Sequence, residues 1–445
     1  MLPTLRFDVA DATSAASGLN VADATSEFYR LEKLRDSICD VEVKMLSGAI
    51  TTPNAMQPLG TGFYLLPQQL LESYQADRMG SELARVLSAT KQLMSEVDRV
   101  LVLGPPCAVL GMRAIMQACC QPYFNELSRG ARGSRPRVTF CSNLLDNDTV
   151  QGLLQLVNAH RIQPAKDLEN RWGLVLIDGE REPALQHFAF RQFVRALQAN
   201  CGQEVQTLNK RLIVVTELAS DLAALAQQWG CRELFYTDPS VGIRFRALST
   251  VGLIPSALLG INIMRLLAGA QAISDHFRLQ RASDNIVLKF AAINLWEMKR
   301  CGLPGEIHVW DSALDAIIPW FRNLPPRQYQ PSDASCSRID YKNSYRYDMR
   351  NLPLVHHVLA EGCRFDPLTW STGNEPKDPS LQTGSLPALQ EHTRNQHMQR
   401  MRDHSQPFSS LVMPLVDEFH LGQLMQLLML AEVVQSRWHG VNPFA

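Results

Sequence analysis

The residue in this sequence with the simplest route to covalent chemistry is Cys107. It follows an apolar run, Val100–Leu103, and a turn of Gly104 and two prolines, so it would lie where a helix begins. A cysteine at such a junction can have its pKa lowered by the helix dipole and act as a nucleophile. No histidine stands at a recognisable triad spacing from it, so the simpler interpretation is a small buried side chain. A cysteine-dependent hydrolase is the remote alternative.

Several histidines in the second half of the chain could in principle hold a metal ion. They are His356, His357, His392, His397 and His404. Their spacing matches neither HExxH nor a Cys/His zinc pattern. The pattern therefore favours solvated loops that contain histidine, and we predict no metal site.

Two further segments combine charge with other functional groups. Asp178–Glu182 surrounds Arg181 with acidic residues and is most simply a solvated loop, with selection of a cationic partner as the alternative. Tyr341, Tyr345 and Tyr347 lie among basic residues, a pattern that can stack on bases. The chain has 43 basic and 44 acidic side chains, however, and a net charge of -1 supplies no basic surface for nucleic acid. We predict no nucleic-acid partner and interpret the tyrosine segment as a loop folded over the second half.

Length and composition indicate an ordinary globular protein. The 445 residues correspond to two or three compact units, and 46% hydrophobic residues are enough to build their cores. The apolar stretches Val251–Leu259 and Leu424–Val434 are too short or too interrupted to cross a bilayer, so no membrane partner is predicted. No secretory leader opens the sequence, which favours a cytoplasmic location. The 10 cysteines show no CxxC spacing and are expected to be reduced.

The elements that must position these residues follow an α/β pattern. Short apolar runs predict strands covered on both faces, at Val100–Leu103, Arg137–Cys141, Leu174–Ile177, Leu212–Thr216 and Glu233–Tyr236. The segments between them carry apolar residues at helical spacing, at Val109–Leu127, Thr149–Arg161, Leu185–Gln198 and Ser220–Trp229. This alternation predicts a doubly wound domain with a mostly parallel sheet.

Three regions are predicted along the chain. Residues 1–96 form a mostly helical extension, residues 97–250 a first α/β subdomain and residues 251–445 a second one. The second has strands at Glu306–Trp310 and Ser410–Met413 and a long closing helix, Phe419–Trp438. Two polar stretches with prolines, Pro325–Asp348 and Pro367–Gln406, are predicted to be long surface loops.

One segment of the second half of the chain resembles a known family. Residues Ser240 to Ala270, beginning S-V-G-I-R-F and continuing through L-S-T-V-G-L-I-P-S-A-L, are similar to a signature block of the glucose-6-phosphate isomerase family, approximately V-G-G-R-[FY]-S-V-L-S/T-x-V-G-L-L-P-A-A. Weaker similarities follow the family order around it, from Leu5-Arg6-Phe7-Asp8 to the closing Gly440-Val441-Asn442-Pro443-Phe444. The resemblance covers nearly the whole chain.

The resemblance implies both a fold and a function. The fold is two αβα sugar-isomerase subdomains, in a homodimer whose active sites lie near the subunit interface. The activity is interconversion of glucose 6-phosphate and fructose 6-phosphate through an enediolate, in glycolysis and gluconeogenesis, without metal or organic cofactor. Arg244 matches the catalytic position that stabilises the enediolate, and Gly104 and Gly242 match substrate-binding positions. A non-catalytic relative, serving as sugar-phosphate sensor, regulatory partner or scaffold, is the alternative.

The phosphate-binding motifs depart from the family pattern. Family members have G-I-G-G-S after the first strand, whereas this chain has Gly104-Pro105-Pro106-Cys107-Ala108. The two prolines remove two backbone N–H donors. The second half of the cradle, S-K-S-G-G/T-T in the family, aligns with Asp178-Gly179-Glu180-Arg181-Glu182-Pro183. Hydroxyl donors are replaced by carboxylates, which would weaken the binding of a dianionic phosphate.

The proton-transfer positions depart as well. The family's base follows a W-[YF]-x-Q-L segment and aligns here with Arg327, which cannot accept a proton. Glu297 and Glu306 are the acidic residues that could substitute for it. The ring-opening histidine aligns with Pro353, and the lysine of Q-P-G-V-E-x-G/Y-K has no counterpart in the 445 residues. Arg246, in place of a family serine, would add a second cation beside Arg244.

Overall fold

The computed structural model describes residues 4–13, 21–142, 146–158, 166–179, 183–302, 305–326, 354–369 and 384–445. Its strands are β1 (Arg6–Asp8), β2 (Arg99–Leu103), β3 (Arg137–Cys141), β4 (Trp172–Ile177), β5 (Leu212–Thr216), β6 (Glu233–Tyr236), β7 (Glu306–Val309), β8 (Val355–Ala360) and β9 (Phe408–Met413). The first sheet has the order β3-β2-β4-β5-β6 and is parallel throughout. The second has the order β1-β9-β8-β7, in which only β1 is antiparallel to its neighbour. The predicted α/β class with mostly parallel sheets is confirmed.

Helices precede, connect and cover these strands. They are α1 (Val21–Asp36), α2 (Val43–Leu46), α3 (Leu66–Ala76), α4 (Glu82–Glu96), α5 (Pro106–Cys119), α6 (Asn147–Val157), α7 (Pro183–Asn200), α8 (Val205–Asn209), α9 (Asp221–Gln228), α10 (Thr250–Leu259), α11 (Ile263–Leu279), α12 (Ile286–Cys301), α13 (Ile317–Arg322), α14 (Leu386–Asp403) and α15 (Glu418–Trp438). A π-helical turn, Ser37–Glu42, joins α1 to α2, and a 3₁₀ segment, Ile243–Leu248, precedes α10.

Short polar side chains set the starts of many helices. Ser81, Asp146, Ser220, Ser385 and Asp417 each accept a hydrogen bond from the backbone N–H three residues later, at the beginning of α4, α6, α9, α14 and α15. Each such cap satisfies one of the N–H groups that a helix leaves without an intrahelical partner. The helix boundaries thus follow from local sequence.

The first sheet separates two apolar cores. Leu174, Leu176 and Val214 belong to the core under α7, whereas Val175 and Val215 belong to the larger core shared with α5 and α10. Successive residues of a strand point to opposite faces, so every residue of β4 and β5 is buried. This double burial explains why these strands read as continuous apolar runs.

The second sheet corrects two predictions. Strand β8 is buried at all six positions, including the pair His356-His357, which were expected in a solvated loop. Most of the predicted loop Pro367–Gln406 that the structure describes is the 18-residue helix α14, which holds His392 and His397. This helix buries only Met398 and Met401, so its apolar periodicity is too weak to recognise. Of the other predicted loop, Pro325–Asp348, residues 327–348 lie outside the described residues.

Helices α11 and α15 cross at very close range. A Cβ atom on Gly422 would lie 2.0 Å from the carbonyl oxygen of Leu266, and one on Gly269 would lie 1.9 Å from that of Phe419. Only glycine permits the two backbones to approach this closely. Between its ends α15 is buried almost throughout.

Two further predictions concern the oxidation state of the cysteines and the presence of membrane-spanning helices. Eight of the ten cysteines are seen as free thiols, as expected for reduced cysteines. Among the described helices, none combines the length and the apolar character needed to cross a bilayer. The boundaries proposed at residues 96 and 250 stay predictions, and β1 of the N-terminal region completes the second sheet.

Candidate functional site

The order of the first sheet creates a crevice between β2 and β4. The chain leaves β2 for β3 on one side and then crosses to β4 on the other. In parallel sheets, ligands bind outside the carboxyl ends of the strands at such a switch point. Gly104 directly follows β2, and Asp178 and Gly179 directly follow β4. The two segments expected to form the phosphate cradle therefore do meet.

The turn after β2 is filled by Pro105. The N–H of Gly104 donates to the carbonyl of Cys141 at 3.2 Å, and a Cβ on Gly104 would lie 3.1 Å from Cβ of Ile177. A Cβ on Gly179 would lie 2.9 Å from Cβ of Pro105, so the proline ring packs directly on the turn after β4. Helix α5 starts at Pro106, and two of the first backbone positions lack an N–H. The turn supplies fewer donors to an anion than a glycine-rich turn would.

Asp178 organises a polar cluster at the carboxyl ends of β4 and β5. The hydroxyl of Thr216 donates to Asp178 Oδ2 at 2.7 Å, and the N–H of Gly179 donates to Oδ1 at 3.0 Å. Nε2 of His187 lies 3.5 Å from Oδ1, and Ser220 contacts the Thr216 hydroxyl. The Asp178 side chain is only 15% exposed, so the expected solvated loop is wrong at this residue. Residues 180–182, including Arg181, lie outside the described residues.

Arg244 and Arg246 extend from one 3₁₀ segment toward different partners. Arg246 is buried, and its Nε donates to the carbonyl of Val241 at 3.1 Å while Nη2 pairs with Glu217 at 3.3 Å. Arg244 donates from Nη2 to the carbonyl oxygens of Pro443 at 2.5 Å and of Ala445 at 3.2 Å. Arg246 thus reaches the carboxyl end of β5, whereas Arg244 holds the C-terminal segment.

The ring of Phe444 covers Gly242. A Cβ on Gly242 or on Gly60 would lie 2.6 Å from Cδ1 of Phe444. The ring also makes an edge contact with Phe245, with 5.1 Å between centroids, and Phe245 stacks on Phe63. Gly242 and Arg244 therefore both contact residues 443–445. They lie in a different segment of the chain from the Gly104 turn, which follows β2.

A carboxyl group that the sequence analysis did not single out lies close enough to Arg244 to interact with it electrostatically. Glu432 of α15 is buried and accepts a hydrogen bond from the Ser436 hydroxyl at 2.8 Å. Burial raises the pKa of Glu432 to about 7, although the Ser436 hydrogen bond and the positive charge of Arg244 oppose the shift. The available signal was a lone acid within the apolar stretch Leu424–Val434. A carboxyl group with this pKa can exchange protons near neutral pH.

The acidic residues expected as replacement bases have other roles. Glu297 is buried, pairs with Arg300 at 2.8 Å and accepts the N–H of Leu354 at 2.9 Å. Glu306 lies on β7 with its carboxylate 3.3 Å from Nε2 of His308. Both carboxylates thus interact with groups around the second sheet. Arg327 and Pro353 lie outside the described residues.

The paired histidines of β8 are held neutral inside the second sheet. Burial lowers the pKa of His356 to about 3 and that of His357 well below its usual value. His356 contacts the Ser409 hydroxyl at 2.6 Å and Asn294 Oδ1 at 3.1 Å, and the indole N–H of Trp310 donates to His357 Nδ1 at 3.1 Å. Within the described ranges, no three His, Cys, Asp or Glu side chains are grouped to hold a metal ion. These contacts indicate a structural role for both rings.

The chain is an α/β protein with mostly parallel sheets and a crevice at the switch point of the first sheet, which is where sheets of this kind generally bind ligands. Two solved structures share the fold. A hypothetical protein of Thermus thermophilus superposes with a TM-score of 0.72 at 20% identity, over 99% of this chain and 96% of that one. A glucose-6-phosphate isomerase from Chlamydia trachomatis superposes with a TM-score of 0.60 at 18% identity, over 81% of this chain and 70% of that one.

The amino-acid sequence resembles the glucose-6-phosphate isomerases in particular. The chain is 25% identical over 431 residues to the enzyme of Streptococcus pyogenes serotype M4, which covers 91% of this chain and 89% of the relative. It is 32% identical over 245 residues to that of Listeria monocytogenes serotype 4b, or 55% of this chain and 51% of the relative. No protein-family model matches the chain. The resemblance predicted from residues Ser240 to Ala270 is confirmed.

Proposed function

We propose that this chain belongs to the glucose-6-phosphate isomerase family and that its ligand is a hexose phosphate, glucose 6-phosphate or fructose 6-phosphate. The observation that carries the proposal is a sequence similarity that extends over 91% of the chain. The fold that the chain shares with the glucose-6-phosphate isomerase of Chlamydia trachomatis supports the proposal. The homodimer, the cytoplasmic location and the role in glycolysis and gluconeogenesis are parts of this proposal.

Isomerisation needs a cation beside the enediolate and a base that moves a proton between two carbons. Arg244 is the proposed cation. Glu432 is the proposed base, because its buried carboxyl lies within the electrostatic influence of Arg244 and has a pKa of about 7. A carboxyl of this pKa is partly ionised at neutral pH and can both accept and return the proton. Gly104 and Gly242 are proposed to line the ligand-binding region.

The phosphate group would be held differently from the family pattern. Pro105 packs on Gly179, and the Asp178 carboxylate accepts hydrogen bonds where the family has hydroxyl donors. Since an anion beside a dianion is unfavourable, this geometry favours weak phosphate binding. It supports a second candidate function, a non-catalytic relative that binds sugar phosphate as a sensor or regulatory partner.

A coupled assay separates the two functions. Purified protein at high concentration is supplied with fructose 6-phosphate, and formation of glucose 6-phosphate is followed. For the isomerase we expect measurable turnover that Glu432→Gln lowers by about 10²–10⁴-fold, the usual contribution of a general base. Glutamine keeps the shape of the side chain and the acceptor for Ser436, so thermal stability should be nearly unchanged. The pH–rate profile should lose its inflection near the Glu432 pKa.

The control is Glu204→Gln, which neutralises an exposed acid of the first half and should leave turnover unaltered. Turnover that survives Glu432→Gln would eliminate Glu432 as the base. No turnover in the wild type, together with thermal stabilisation by fructose 6-phosphate, would replace the isomerase by the sugar-phosphate-binding relative. Neither turnover nor stabilisation would contradict hexose phosphate as the ligand.

A further inference from the structure

Four arginines surround one buried carboxylate at the amino-terminal edge of the first sheet, opposite the edge that carries Gly104 and Asp178. Asp98, which precedes β2, is 3% exposed. It accepts hydrogen bonds from Arg132 at 2.6 Å, from Arg129 at 3.1 Å and from Arg137. Arg99 is the fourth arginine of this cluster, which we call the Asp98 cluster.

Three of these arginines have evident structural tasks. Arg132 has no exposed side-chain surface and also donates to the carbonyls of Leu127 and Arg135. Arg129 donates to the carbonyls of Met94 and Val97 at 2.8 and 2.7 Å, and Nε of Arg137 donates to that of Asn125 at 3.0 Å. These bonds tie the chain between α5 and β3 to the edge of the sheet. They leave Nη2 of Arg137 without an acceptor among the described residues, and this side chain is 30% exposed.

Arg99 differs because it donates a hydrogen bond to no residue that the structure describes. Its register partner in the parallel β2–β3 ladder is Arg137, so two guanidinium groups occupy neighbouring positions on one face. Partial burial and the charge of Arg137 lower the pKa of Arg99, and only Asp98 and the exposed Glu126 oppose this effect. Four cations against these two carboxylates leave a formal charge of +2. Like charges on adjacent strands are destabilising unless an anion joins them.

We propose that Arg99 and Arg137 form a binding site for a divalent oxyanion, the phosphate group of inorganic phosphate or of a phosphate monoester. Guanidinium groups bind such oxyanions through paired N–H donors, and the free donors of both side chains lie at the partly exposed rim of the Asp98 cluster. The charge of the ligand matches the excess of the cluster. The site lies at the edge of the sheet opposite the switch-point crevice, so it does not depend on the proposed isomerase function.

Thermal unfolding of the full chain with inorganic phosphate tests the site, with sodium chloride holding ionic strength constant. We expect a saturable rise in melting temperature; at ten times its Kd the ligand lowers the unfolding equilibrium constant about 11-fold. Arg99→Gln should abolish the phosphate effect. Without phosphate, the same variant should melt at the wild-type temperature or higher, because it removes a charge repulsion and no hydrogen bond. If Arg99 only stabilised the fold, the phosphate-free Arg99→Gln variant would melt at a lower temperature than the wild type.

Arg195→Gln is the matched control, since it removes the same charge from an exposed position on α7 and should retain the phosphate effect. Glucose 6-phosphate in a parallel titration identifies the source of the phosphate group. Stabilisation by the sugar phosphate that Arg99→Gln removes supports a monoester ligand, whereas an effect limited to inorganic phosphate supports the free ion. No phosphate effect beyond that of chloride, an effect that persists in Arg99→Gln, or a lower melting temperature of the phosphate-free variant would overturn the site.

Discussion

Replacement of Gly422 by alanine will lower the free energy of unfolding by about 3 kcal/mol or more, the upper range for overpacking a core. The added Cβ would lie 2.0 Å from the carbonyl oxygen of Leu266, a backbone atom that no side-chain rotation can move away. Relief requires α15 to separate from α11, and α15 is buried at 17 of its 21 positions. Urea denaturation followed by circular dichroism measures the loss.

Two further variants make this prediction specific. Gly269→Ala clashes at the same crossing, with the carbonyl of Phe419, so the double variant should cost less than the sum of the single ones once the helices have separated. Gly152→Ala is the control, because this glycine lies inside α6 with no atom within 4 Å of an added Cβ. This variant should raise the free energy of unfolding by about 0.5–1 kcal/mol, because alanine has a higher helix propensity than glycine. Equal effects of Gly422→Ala and Gly152→Ala would contradict the close crossing.

Acidification from about pH 7.5 to about pH 5 will remove about 2 kcal/mol of stability through His356 alone. The pKa of this ring is about 3 in the folded chain, below the usual 6.5, because burial disfavours its charged form. The unfolded chain therefore takes up a proton that the folded chain refuses. The stabilisation is complete above pH 6.5 and is lost as the pH falls toward 3. His357 acts in the same direction, and Glu432 in the opposite one, because its pKa is raised.

The contribution of His356 is measured as a difference between variants. His356→Gln retains a hydrogen-bond donor for Asn294 but does not titrate, so the free energy of unfolding should depend less steeply on pH than in the wild type. His392→Gln, at an exposed position of α14, is the control for the exchange of a histidine for glutamine. Chemical denaturation at several pH values gives each slope. Superimposable pH profiles for wild type and His356→Gln would rule out a buried neutral ring.

The elements predicted well are those whose pattern is local. β3, β5 and β6 have the predicted bounds, because strands covered on both faces require continuous apolar runs. The same rule explains the failure at β8, where two histidines interrupt the apolar pattern although both rings are buried. Their burial depends on Ser409, Asn294 and Trp310, which come from β9, α12 and the residue after β7. A local sequence pattern cannot predict contacts with residues so far away in the sequence.

For the candidate site, the amino-acid sequence by itself determined the α/β class, the family resemblance, and the residues Gly104, Gly242 and Arg244 that the resemblance selects. These features depend only on composition and on the spacing of residues along the chain. They can therefore be predicted without knowing how the chain packs. Only the tertiary structure placed Glu432 near Arg244, the Phe444 ring on Gly242, Pro105 against Gly179, and Arg99 beside Arg137. Each of these contacts depends on how distant segments pack. Burial and unpaired charge, and the pKa values that they shift, arise only when the chain folds.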